Sequence, residues 1–178
     1  MIAARVAALC LLLAAAPAAA QDIPDISLAP GEAVAVRFDD GGRVGAPQRG
    51  RAEWNRFDAA AARQMAGMPP LDEPMREAMP AAGPADGSRP GPIPPDEVRL
   101  RFLSVSGQHS LLVIENGQGR ALAYRARMTV NGQSRHTDVC IVLPRLQSYE
   151  HWPHPIERLE LSDFRFIAWP PGRNPTCE

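Results

Sequence analysis

The sequence predicts an all-β protein: an antiparallel immunoglobulin-like β-sandwich with one short N-terminal helix and a Pro-rich linker. Three observations predict it. Short segments alternate apolar and polar residues with the period of two that a half-buried strand needs, as in Val34-Ala35-Val36-Arg37-Phe38, Leu100-Arg101-Phe102 and residues 122–130. Glycine-bearing turns separate these segments at short intervals: Asp40-Gly41-Gly42, Ser106-Gly107, Asn116-Gly117-Gln118-Gly119 and Asn131-Gly132. Helical periodicity is confined to one stretch, residues 52–67. A small open β-barrel is the alternative, because the same short strands would serve both architectures.

The clearest element is a hairpin over residues 121–143. Leu122, Tyr124, Ala126, Met128 and Val130 share one face, and Ala123, Arg125, Arg127 and Thr129 the other. Asn131-Gly132 supplies the two positive-φ residues of a type I′ turn. That turn sets Val130 opposite Gln133, so Arg127 lies beside His136, Arg125 meets Asp138, Ala123 meets Cys140, Tyr124 meets Val139 and Leu122 meets Ile141.

Taken in order, residues 1–20 read as a signal peptide: one charge at Arg5, a leucine-rich centre at residues 9–13, and Ala18-Ala19-Ala20 before a cut ahead of Gln21. The stretch is too alanine-rich to be preferred as a membrane span, which needs about 20 strongly apolar residues, and none is expected after signal removal. Residues 21–51 are an N-terminal segment that is polar and proline-broken up to Pro30 and then forms one strand around Val34, Val36 and Phe38. In residues 52–67, Trp54, Phe57, Ala61 and Met65 recur at helical spacing and Gly67 ends the run. Residues 68–96 carry nine prolines and read as a linker or draped arm, with one helical turn around Met75 to Met79. Residues 97–178 hold the sandwich core and its C-terminal tail. Within it, 98–105 alternates, 110–115 is apolar enough to be buried on both faces, 144–155 is irregular, and 156–168 is extended with a bulge near Ser162-Asp163.

The chain has 19 basic and 20 acidic residues for a net charge of −1, and no lysine. That balance gives no reason to expect nucleic acid or anionic lipid as a partner. Cys10 leaves with the signal peptide. The remaining Cys140 and Cys177 enter an oxidising compartment, where a disulfide is the expected state.

Thr137-Asp138-Val139-Cys140, then Tyr149-Glu150-His151-Trp152-Pro153, then Glu160-Leu161-Ser162-Asp163-Phe164-Arg165 together resemble a group of uncharacterised exported proteins of alphaproteobacteria. The resemblance covers roughly residues 111–169. It implies export and supplies no activity, ligand or catalytic residue.

No Gly-x-Ser-x-Gly elbow, phosphate loop or dinucleotide fingerprint is present. Cys140 shares a face with Asp138 and His136, the residue types of an activated nucleophile, but a single-partner cysteine in an exported chain is expected to be half of a disulfide. For metal, His151 and His154, with Glu150 and either His109 or His136, offer nitrogen and oxygen ligands, and Met65, Met68, Met75 and Met79 offer thioethers suited to Cu(I). Neither set has the tight spacing of a zinc site. Glu157, Glu160 and Asp163 are expected to pair at the surface with Arg158 and Arg165. Arg99, Arg101, Arg125 and Arg127 are expected to face solvent or Asp138. The candidate binding surface is the set Tyr149, Glu150, His151, Trp152 and His154, stiffened by Pro153 and Pro155. Two readings of it compete: a contact surface led by Trp152, or an anchor with that indole buried in the sandwich.

The sequence thus predicts a non-enzymatic protein, periplasmic or secreted, with no cofactor and a structural or interaction role toward another protein of the bacterial envelope. The alternative is a periplasmic metal-binding protein that holds Cu or Zn through His and Met.

Overall fold

The computed structural model describes residues 23–79, 93–170 and 172–177. The expected signal peptide and residues 80–92 of the proline-rich stretch lie outside these residues. Two antiparallel sheets face each other across one apolar core. Strands β1 (Ile26–Leu28), β2 (Glu32–Arg37) and β3 (Gln48–Arg51) precede helices α1 (Arg56–Met65) and α2 (Glu73–Ala78). Then come β4 (Glu97–Val105), β5 (His109–Asn116), β6 (Ala121–Val130), β7 (Gln133–Thr137), β8 (Gln147–Trp152) and β9 (Arg158–Ile167). One sheet has the order β1-β9-β6-β7 and the other β3-β2-β4-β5-β8. Among the described residues each sheet ends in two unpaired edges, so this is a sandwich and not a closed barrel.

The period-two pattern explains the core. Val34 and Val36 from β2, Leu100 and Phe102 from β4, Leu112 and Ile114 from β5, Leu122 and Ala126 from β6, and Leu159 and Leu161 from β9 all point between the sheets. The Asn131-Gly132 turn forms as expected, with φ of 50° and 71°, and Val130 faces Gln133 and Arg127 faces His136. Gly117 is required by a close approach: a Cβ there would stand 1.8 Å from the Pro94 carbonyl oxygen. The expected bulge in β9 is present. Asp163 has φ 53°, and the β6–β9 register shifts between Ala123 and Arg125.

Several expectations are corrected. The hairpin ladder stops at Thr137. Leu122 instead bridges Val142, one position beyond the expected Ile141, and the intervening Cys140 and Ile141 pair with the tail at Cys177 and Thr176. The N-terminal segment contributes to both sheets, β1 pairing with β9 and β2 with β4, so the sandwich is not confined to residues 97–178. Its polar stretches conceal β1 and β3, which are short or fully exposed edge strands. Residues 147–152, expected to be irregular, form β8 along β5. The helical turn near Met75 is α2, capped by the Asp72 side chain.

The helix at 52–67 also differs in start and facing. Asn55 caps α1 by accepting a hydrogen bond from the Asp58 N–H. Asp58, Ala59 and Ala62 are buried and Met65 is exposed. Ala62 joins the apolar cluster under the helix, a signal that large-residue periodicity misses.

Candidate functional site

Helix α1 covers the outer face of the five-stranded sheet. Ala52, Ala62, Leu103, Val105, Leu111 and Val113 form a second apolar cluster there, with Trp54, Met68 and Tyr149 packed against it. Asp58, 0 % exposed, fixes the helix in place. It pairs with Arg101 and accepts hydrogen bonds from the Tyr149 hydroxyl at 2.8 Å and Gln147 Nε2 at 3.1 Å. Arg101 also reaches Glu115 at 3.4 Å, and Arg99 bridges Glu115 and Glu97. Arg101 therefore does not face solvent or Asp138, as alternation alone suggested, whereas Arg99 keeps 39 % of its side chain exposed while it pairs with the two glutamates. Burial, and then the Asp58 charge, push the Tyr149 hydroxyl well above its ordinary range, so it donates rather than ionises.

β8 divides the candidate binding set between two faces. Tyr149 points outward and is taken up by Asp58 and α1, with the Phe57 ring 6.2 Å away. Glu150 and Trp152 point inward. Trp152 is 6 % exposed in the core, and its Nε1 donates to Thr137 Oγ1 at 2.8 Å. It therefore occupies the anchoring position of the two readings, and a buried indole offers no contact surface. Glu150 Oε1 accepts from the Cys140 N–H at 2.7 Å and faces the Tyr124 hydroxyl at 3.4 Å. Burial holds its carboxyl above the ordinary value, opposed by those two hydrogen bonds.

His151 meets His109, not His154. His151 Nε2 and His109 Nδ1 are 3.1 Å apart, and burial, then His109, lowers the His151 pKa. The backbone carbonyl of His154 accepts from Ser110 Oγ at 3.1 Å, and its Nε2 is buried with no hydrogen-bond partner among the described residues. His136 pairs with Arg127 at 3.2 Å. No group of three His, Cys, Asp or Glu among the described residues is arranged to hold a metal ion. Of the four methionines offered as thioether ligands, Met65 and Met75 are exposed and Met68 packs beside α1.

Cys140 and Cys177 are bonded, which leaves Cys140 no thiol for the nucleophilic arrangement with Asp138 and His136. The bond and the Ile141 N–H to Thr176 carbonyl contact of 3.0 Å pin the tail beside residues 140–141. A groove of about 620 Å³ results on the outer side of the four-stranded sheet. It is lined by Ala123 of β6, by residues 136–141 and by Arg173 and Thr176 of the tail. Arg125 and Arg165 also line it. Arg125 lies 3.4 Å from Asp163, not against Asp138. Glu157, expected in an arginine pair, instead accepts from the Gly132 N–H at 3.3 Å. Sequence reasoning missed Asp58 and Arg173, and it read Arg165 only as a surface partner for Glu157, Glu160 and Asp163, a pairing not found among the described residues. An acid alone in an alanine run, Asp58 to Ala62, was the available signal for the first; the tail arginine becomes informative only once the disulfide is placed. No protein-family model, curated protein or solved structure matches this chain.

Proposed function

We propose that the protein is a non-enzymatic, exported β-sandwich that works by contact with another protein of the bacterial envelope, through the uncovered face of its four-stranded sheet. The carrying observation is the contrast between the two outer faces. The outer face of the five-stranded sheet is closed by α1 over an apolar cluster. The outer side of the four-stranded sheet presents Arg125, Arg127 and the exposed edge strand β7, with a groove beside them. Unpaired strand edges and convergent guanidinium groups are features of recognition surfaces. Export is supported by the small-residue pattern at Ala18-Ala19-Ala20 and by the Cys140–Cys177 bond, which suits an oxidising compartment. No helix among the described residues is long and apolar enough to cross a membrane.

The test places a photo-cross-linking residue at Ser134 or Arg135 on β7 and, for comparison, at Ala60 or Gln64 on the exposed side of α1. The β7 positions should yield an adduct with one defined envelope protein that the α1 positions do not yield. Absence of any adduct from β7, or the same adducts from both faces, would contradict the proposal.

A further inference from the structure

We infer that the groove beside the Cys140–Cys177 bond receives carboxylates from an extended acidic segment of a partner protein, an inference that rests on the contact face proposed above. The groove is lined by small Ala123 and by tail residues Arg173 and Thr176, which the disulfide ties to Cys140. Three guanidinium groups line it, from Arg125, Arg165 and Arg173, against one carboxylate, Asp138. Among the described residues these charges are poorly matched. The Arg125–Asp163 pair spans 3.4 Å, with the side chains 67 % and 62 % exposed, so it competes weakly with an incoming carboxylate. Arg173 lies over the Trp169 ring at 4.7 Å, which orients the guanidinium without neutralising it. Arg165 makes no carboxylate contact among the described residues. Guanidinium groups placed this way bind planar carboxylates through paired N–H donors.

The neighbouring edge argues for a segment of chain as the occupant. β7 ends its sheet, and all of Gln133 to His136 is exposed. A strand added along β7 would find backbone partners there. It would continue past Thr137, where the β6–β7 ladder stops and the groove begins. Arg135 on that edge favours acidic residues in the added strand as well.

The probe is fluorescein-labelled hexaglutamate, titrated against the mature protein. Saturable binding that weakens with rising salt, and that falls at least tenfold in Arg165→Gln with Arg173→Gln, is expected; Arg51→Gln on the other sheet should leave it unchanged. Both groove substitutions are at exposed positions, and unchanged thermal unfolding confirms that the variant is folded. Citrate and inorganic phosphate form the free-anion arm. Saturable citrate or phosphate binding with the same arginine dependence, and no preference for hexaglutamate, would overturn the segment in favour of a free anion. Hexaglutamate binding that is absent, or equal in the double variant, would overturn the site. If hexaglutamate fails while the β7 cross-link persists, the contact face stands and its acidic chemistry falls. If hexaglutamate binds and no cross-link forms, the contact with an envelope protein falls.

Discussion

Two strands of this sandwich carry the same pattern, Arg-x-Arg on the side away from the core, and end in different environments. On β4, Arg101 is only 11 % exposed in its side chain and lies between Asp58 and Glu115. On β6, Arg125 is 67 % exposed and touches Asp163 across the surface, while Arg127 meets His136. Alternation fixes which side of a sheet a residue faces. Whether that side meets water depends on what else the chain lays over it. Helix α1 is the difference. It brings one carboxylate, Asp58, into a layer of arginine and glutamate, and the pairing is satisfied only because Tyr149, Gln147 and Asn55 complete the carboxylate's hydrogen bonds.

The comparison is broken most severely by Asp58→Ala. It leaves Arg101 without its principal partner under the helix, and we expect a loss of about 3–5 kcal/mol, the scale for removing one member of a buried ion pair. Urea denaturation measures it. The matched substitution on the open face, Arg127→Gln, should stay within about 0.5 kcal/mol of the parent, as exposed ion pairs contribute little. Equal losses from the two would erase the distinction between the faces.

Next in size is the tail. Replacing Cys140 and Cys177 together by serine opens a loop whose ends are 37 residues apart, worth about 2–4 kcal/mol by chain entropy. The groove should lose the lining that Arg173 and Thr176 supply in the same variant, so hexaglutamate binding and thermal stability should fall together. Binding that survives in the folded double variant would show that the tail does not shape the groove.

A smaller effect is the pH dependence from Glu150. Its carboxyl is held above the ordinary 4.5 by burial, so the folded chain retains the proton to higher pH than the unfolded chain. The associated stability is full below 4.5 and is lost as pH rises through the folded value. Glu150→Gln keeps an oxygen for the Cys140 N–H and should flatten that decline, measured as unfolding midpoints between pH about 4 and 7. An unchanged slope would assign the dependence elsewhere.

Much of this architecture is legible in the residues themselves. The Asn131-Gly132 turn fixes the register as far as Thr137, and β5 reads as buried because residues 110–115 are nearly all apolar. Asp163 marks its bulge through a break in inward phase. What escapes is set by tertiary context. Prolines on both sides of 147–152 disguise β8, since only pairing with β5 makes it a strand. The same pairing sends Trp152 into the core and Tyr149 to Asp58, so residues adjacent in sequence serve different layers. The groove is least legible, because it needs Ala123, the end of β7 and the returning tail at one place.

The contrast between the faces is tested most directly by arginine modification with phenylglyoxal, followed by mass spectrometry of the native protein. The structure predicts rapid modification of Arg125, Arg127 and Arg165, with Arg101 protected until the chain is unfolded. Modification of Arg101 at the rate of Arg127 in the native state would contradict it, since α1 would then not close the face that the Asp58 pair holds.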